Sequence, residues 1–355
     1  MWPFRLFLLL LLLAPLATAQ QGVWRFAVSG DSRNCGDVVM PTIAQHVLAD
    51  QALFYWHLGD FRAIYMIDED YAQTHQRTES GAAPMLQDYL PHAWDDFIEN
   101  QLTPFGDTQV FLSLGNHENI APKDHNQVIA QFADWFNSLP IRSQRLTDDS
   151  SDHMVKGYYH WLVAGIDFIN LDNSQDQFDP PQMTWLQNLL NRDENDFSVR
   201  AIVLGMHEAL PDSISADHSM NQFPAGVTSG RTAADWLVQF KQRSHKAVYI
   251  LASHSHFYME GIFNTPEWHA RGEVPPGWIV GTAGAIRYKL PPAAKDAIES
   301  RPYVYGYMLA TVDPSQPDPI KFEFHQLSES DVPTDVVSRY SPTLVHNCWA
   351  NNAER

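Results

Sequence analysis

Across 355 residues there are only two cysteines, Cys35 and Cys348, and no Cys-x-x-Cys pair. That excludes a disulfide-dense scaffold, a thiolate zinc site and a dithiol redox centre. The two thiols leave both outcomes open: one bridge tying the chain near Cys348 to the loop after Asp31, or two unpaired cysteines. Basic residues are also scarce, with 23 Lys and Arg against 42 Asp and Glu, a formal charge of −19 and no basic run. Without cationic clusters to neutralise phosphates, the chain is not a general nucleic-acid binder. The acidity suits a protein that concentrates cations, and it equally serves solubility. There is no internal repeat, no low-complexity block and, after residue 19, no apolar run long enough to span a bilayer.

At the N-terminus, Arg5 precedes the unbroken apolar run Leu6–Leu13 and the small-residue exit Ala17-Thr18-Ala19. This pattern predicts an export signal over residues 1–19, cleaved near Ala19, and a periplasmic or secreted mature chain with no transmembrane segment. Over the whole chain 45% of residues are apolar and 18% charged, a globular composition with material for a sizeable core.

Strand readings fall at Trp24–Ser29, Leu53–Leu58 and Gln109–Leu114, with a helical stretch at Val38–Ala49 between the first two. That order is a βαβ signature. Further strands are expected at Val199–Gly205, Ala247–Ala252, Tyr258–Phe263, Trp278–Gly281, Val304–Val312 and Lys321–Gln326, and a hairpin joins Tyr158–Val163 to Asp167–Leu171. Helices are expected at Gln182–Leu190 and Thr232–Lys241, with a long loop carrying one or two helices over 61–108, lying over the site, and a loop over 208–230. The simplest account is one α/β domain, residues 20–327, with two sheets flanked by helices, followed by a polar, loop-rich C-terminal tail, 328–355.

Five of the strand ends stop at metal-ligand residue types: Gly30-Asp31, Gly59-Asp60, Gly115-Asn116-His117-Glu118, Met206-His207 and Ser253-His254-Ser255-His256. Each residue has an ordinary role open to it. Asp31 can cap a helix, Asp60 can close a turn, Asn116 tolerates left-handed backbone and His207 can be a loop histidine. Singly, those roles are the commoner; jointly they require too many coincidences at one place.

In their order and at these strand ends, the five elements resemble the calcineurin-like metallophosphoesterase family over about residues 24–326, the Gly-Asn-His-Glu and His-x-His elements being the specific ones. The resemblance implies two mixed β-sheets packed as a sandwich flanked by helices. It implies a phosphomonoesterase or phosphodiesterase with two divalent or trivalent transition metal ions, Fe, Mn or Zn. One metal would take Asp31, Asp60 and His256, and the other Asp60, Asn116, His207 and His254, with Asp60 shared between them. A metal-bound hydroxide would attack phosphorus, and His117 would donate a proton to the leaving oxygen or stabilise phosphoryl charge.

The chain departs from the family at one place. The first motif is usually Asp-x-His, and here it reads Asp31-Ser32-Arg33. Arg cannot ligate a metal. The purple acid phosphatase branch supplies a Tyr three residues after the second-motif Asp, where this chain has Ala63, with Tyr65 two further on. The reading is a weaker first metal completed by water, with Tyr65 or Asn34 as substitute ligands and a one-metal site as the other outcomes. Arg33 then suits substrate phosphate. The alternative function is a degenerate, non-catalytic protein that binds a phosphorylated ligand or a partner. Specificity is expected in loops 61–108 and 208–230, where Tyr71, Trp94 and Phe223 either stack on a substrate or pack. His57 and Glu118 are expected to support the site without ligating, His125 and His218 to be solvated, and His218 or Tyr258 to be marginal substrate contacts.

Overall fold

The structure of the protein is a computed structural model that describes residues 22–62, 67–68, 85–121 and 123–354. The expected export signal, Ala63, Tyr65 and Tyr71 lie outside the described residues.

Among the described residues the chain forms β1 (Trp24–Ser29), β2 (Phe54–His57), β3 (Gln109–Leu112), β4 (Tyr159–Val163), β5 (Ile166–Asn170), β6 (Ala201–Gly205), β7 (Ala247–Ala252), β8 (Tyr258–Glu260), β9 (Gly277–Val280), β10 (Glu299–Arg301), β11 (Tyr305–Val312) and β12 (Ile320–Leu327). One sheet has the order β12-β11-β1-β2-β3, and the other β10-β8-β9-β7-β6-β5-β4. β1, β2 and β3 run parallel, as do β5, β6, β7 and β9, while the flanking pairs are antiparallel. These are the two mixed sheets expected.

The sheets face each other across an aromatic layer. Phe26 meets Phe168 edge-on at 5.0 Å, Trp56 meets Trp161 at 5.0 Å and Phe111 stacks on Trp161 at 3.8 Å between ring centroids. Along β6 the period of two is visible. Ala201 and Val203 point into this layer, while Ile202 and Leu204 join a second core under the helices Pro180–Asn195 and Pro224–Ser244. A strand covered on both faces reads as a continuous apolar run, which is why β6 and β7 are legible without alternation.

The structure departs from the sequence reading in three ways. The helix expected at Thr232 begins at Pro224, inside the expected loop. Its Gly226 and Gly230 lack side chains where the helix presses on the Asp176 carbonyl and the Pro211 ring, and Thr228, Ser229 and Thr232 return hydroxyl bonds to carbonyls four residues back. The expected strand Tyr258–Phe263 stops at Glu260, because Gly261 turns at φ 78°. The helices expected within 61–108 are present among the described residues as Leu86–Tyr89 and Ala93–Phe97, which bury Tyr89, Trp94 and Phe97, so of the two roles open to Trp94 it takes packing. The polar tail carries two helices, Thr334–Tyr340 and Pro342–Ala350, which bury Val336, Tyr340, Leu344, Val345 and Cys348. Cys348 is disulfide-bonded to Cys35, with a Cα–Cα distance of 5.9 Å across 313 residues.

Candidate metal centre

The C-terminal ends of β1, β2, β3, β6 and β7 open at one edge of the sandwich, where the chain leaves parallel strands and side chains can converge. Asp31, Asp60 and His254 all sit there in left-handed backbone, with φ of 61°, 60° and 65°. Non-glycine residues avoid this region, so their presence marks a site that the surrounding packing enforces. Gly59 and Gly115 let two of the turns touch. A Cβ on Gly59 would stand 2.5 Å from Gly115 N, and one on Gly115 would overlap Asp60 Oδ1.

All six expected ligands are brought together. Asp31, Asp60 and His256 form one group whose ligand atoms lie within 4.8 Å of one another, and Asp60, His207 and His254 form a second. His207 Nε2 lies 3.4 Å from Asp60 Oδ1, 3.1 Å from Asn116 Oδ1 and 3.0 Å from His254 Nδ1. His256 Nε2 lies 3.2 Å from Asp31 Oδ1.

The proton positions test whether these residues fit a cation. His207 Nδ1 donates to Leu58 O at 3.0 Å, and His256 Nδ1 donates to Ile286 O at 2.7 Å. With that proton on Nδ1, a neutral ring at either position turns the lone pair of Nε2 inward, towards carboxylate or amide oxygens. Without a cation, lone pair faces lone pair; with one, every inward atom is a ligand. Asp31 Oδ1 and Asp60 Oδ2 are sealed from water and, among the described residues, meet no hydrogen-bond donor in good geometry, as inward ligand atoms would. Burial alone would raise the Asp31 and Asp60 carboxyls, but His256 beside Asp31, and His117, His207 and Arg33 beside Asp60, hold both below their ordinary values. Burial and the neighbouring His207 push His254 down to about 3, despite both carboxylates. The residues fit transition metals bound by mixed nitrogen and oxygen ligands.

A second layer orients the first. Glu118 accepts from the backbone N–H groups of Asp60 at 2.9 Å, Phe61 at 2.8 Å and Gly115 at 2.7 Å. It clamps two ligand-bearing turns, a role hidden in sequence because its partners are backbone. Burial and the Asp60 charge raise its pKa against the pull of those three N–H groups. His57 supports the site as expected. It meets Ser32 Oγ at 3.0 Å, accepts from Gly59 N at 3.2 Å, and burial drives it down to about 3. Asn34 is not directed at the metal groups, since its Oδ1 accepts from Ile286 N at 3.2 Å.

Arg33 and His117 meet beside the shared carboxylate. Arg33 Nη1 is 3.1 Å from His117 Nδ1, Arg33 Nε is 3.7 Å from Asp60 Oδ2, and His117 Nε2 is 3.5 Å from the same oxygen. A guanidinium only donates, so His117 Nδ1 accepts and the imidazole proton sits on Nε2. Burial, reinforced by Arg33 and opposed by Asp60, lowers His117 to about 4.

Two expectations about peripheral residues change. Tyr258 is buried on β8 and stacks on Phe324 at 4.2 Å, away from the ligand groups. His218 is half-buried, its ring centroid 5.5 Å from that of His254 and 5.4 Å from that of Tyr288, which itself stacks on His256 at 4.1 Å. Tyr288 is a site neighbour that no local motif announces. His125 is half-buried rather than free in solvent, held by Asp172 at 2.7 Å.

Comparison with solved structures finds a purple acid phosphatase, PPD1 from yellow lupin (Lupinus luteus) seeds, at TM-score 0.55 and 15% identity over 87% of this chain and 52% of that one. The chain thus spans about half the length of the lupin enzyme. PhoD is similar at TM-score 0.52 and 15% identity, covering 92% of this chain and 77% of PhoD. At such identities the likeness is one of fold. No curated protein sequence matches the chain. The model of the calcineurin-like phosphoesterase family matches residues 25–258, the greater part of the chain and all six candidate ligands, and the protein belongs to that family.

Proposed function

We propose that the protein is a metal-dependent phosphoester hydrolase, acting on a phosphomonoester or phosphodiester through a pair of cations. The observation that carries this reading is that Asp60 belongs to both ligand groups, since a carboxylate has two oxygens to share between two ions. Asp31, Asp60 and His256 would hold the first ion, and Asp60, Asn116, His207 and His254 the second. When bound, Fe, Mn or Zn would supply Lewis acidity towards water and phosphoryl oxygen. The residues around them do the rest. Arg33 orients a planar, charged fork towards phosphate and keeps His117 in one tautomer. His117 Nε2–H would then offer a hydrogen bond to the charge that develops on the leaving oxygen or on the phosphoryl group. The Cys35–Cys348 disulfide supports export to an oxidising compartment, and no helix among the described residues is long and apolar enough to cross a membrane. The test is hydrolysis of an aryl phosphate ester by purified protein supplied with Mn, Zn or Fe. Asp60→Ala and His117→Ala must each reduce the rate; unchanged turnover in either would end the proposal.

A second reading is favoured by one observation, the Arg33 guanidinium 3.7 Å from Asp60 Oδ2. A fixed positive charge there competes with the first cation for the shared carboxylate. In that reading the protein holds one metal and binds a phosphorylated ligand without turning it over. Metal content of at most one ion per chain, with no hydrolysis, would support it.

A further inference from the structure

After β9 the chain runs through Ala283–Tyr288 as a narrow ribbon with different partners on its two sides. On one side it grips the first ligand group. Ala283 N donates to Gly30 O at 2.9 Å, Ala285 N to Asp31 O at 2.9 Å, and Ile286 N to Asn34 Oδ1 at 3.2 Å. Ile286 O receives the Nδ1 proton of His256, and Tyr288 N donates to His256 O at 2.9 Å. On the other side it is held by the C-terminal segment. Arg287 N donates to Asn352 O at 3.2 Å, Glu354 N to Arg287 O at 2.8 Å, and Asn352 Nδ2 to Gly284 O at 3.1 Å.

The Arg287 side chain locks this arrangement. It is buried, and its guanidinium donates to Asn352 O at 3.1 Å, Tyr303 O at 2.9 Å, Cys348 O at 3.3 Å and Trp349 O. The last two carbonyls close the helix Pro342–Ala350, where a cation is favoured. Cys348, on the same helix, is bonded to Cys35, four positions after Asp31 and two after Arg33. The Cys35 N–H in turn donates to Gly284 O at 3.1 Å. The tail therefore reaches the two ligands that belong to the first group alone, Asp31 through the disulfide loop and His256 through Ile286. The second group is held differently, by Glu118 under Asp60 and by Leu58 O on His207.

We propose that the C-terminal segment 342–354 is a positioning strap for the first cation, acting through Arg287 and the 283–288 ribbon on His256 and through Cys35–Cys348 on Asp31. The proposal rests on the two-cation reading. It gives the disulfide and the buried arginine a role beyond stability: they stiffen the group that lacks a ligand where Arg33 stands.

The test titrates metal-free protein with Mn²⁺ and counts bound ions, with electron paramagnetic resonance separating coupled pairs from single ions. The proteins are wild type, the double variant Cys35→Ser with Cys348→Ser, and Asn352→Ala, each checked for fold by circular dichroism. Outer-shell losses typically weaken metal binding roughly ten- to a hundredfold. That weakening is expected for one ion only, with loss of the coupled signal and the other ion unchanged. Asn352→Ala removes just the bonds to Gly284 O and Tyr305 OH, so it decides the matter if the double variant does not fold. Folded variants that bind both ions as wild type does, or that lose both equally, overturn the strap. A wild type that binds no pair overturns the two-cation reading, and the strap falls with it.

Discussion

Arg33 Nη1 stands 3.1 Å from His117 Nδ1, across 84 residues of sequence, and the contact makes His117 a donor through Nε2. Removing the imidazole should therefore cost the rate without emptying the ligand groups. In His117→Ala, kcat is expected to fall about 10²–10³-fold, the usual worth of one hydrogen-bond donor aimed at developing charge, with bound metal unchanged. Arg33→Met should raise KM for an aryl phosphate and lower kcat less than His117→Ala does. Steady-state kinetics beside metal analysis checks both.

Glu118 satisfies three backbone N–H groups in a site closed to water. Glu118→Ala leaves them unpaired at about 1–3 kcal/mol each. The expected result is a loss of roughly 3 kcal/mol or more in urea unfolding, accompanied by weaker binding of both ions, because Asp60 and the Gly115 turn are freed together.

This residue also marks where sequence reading stops. The six candidate ligands are legible because polar types with metal-binding chemistry end strands that are otherwise apolar, and that pattern is local. Glu118 was seen to support a loop, but its three partners are backbone groups on two turns that meet only in the fold. The Arg33–His117 contact and the stacking of Tyr288 on His256 are likewise tertiary. The βαβ start and the apolar strands were readable from pattern alone. The helix from Pro224 was not, because its glycines and hydroxyls imitate a loop until the packing against Asp176 and Pro211 is known. The tail helices were missed because few residues, among them Leu344, Val345 and Cys348, bury their apolar stripe.

Far from the ligand groups, His160 lies between Asp167 at 2.8 Å and Asp148, with Arg192 alongside. Burial would lower its pKa, but the Asp167 and Asp148 carboxylates outweigh that and raise it to about 9. Asp193 is pushed up to about 8, by burial and then by Asp167. The native state therefore keeps protons that the unfolded chain has released. The His160 contribution is complete below its unfolded value near 6.5 and is lost as pH rises through about 9; Asp193 acts in the same direction. Wild-type Tm should fall more steeply than that of His160→Asn between those pH values. Parallel curves in a thermal-melt series would contradict this.

The central claim is that two cations share Asp60, and the most direct measurement is the metal-to-chain ratio of purified, metal-equilibrated protein, wild type against Asp60→Ala. Two ions per wild-type chain are expected, and Asp60→Ala should lose its coupled pair and retain at most one. At most one ion on the wild type, or both ions still bound in folded Asp60→Ala, would contradict the account.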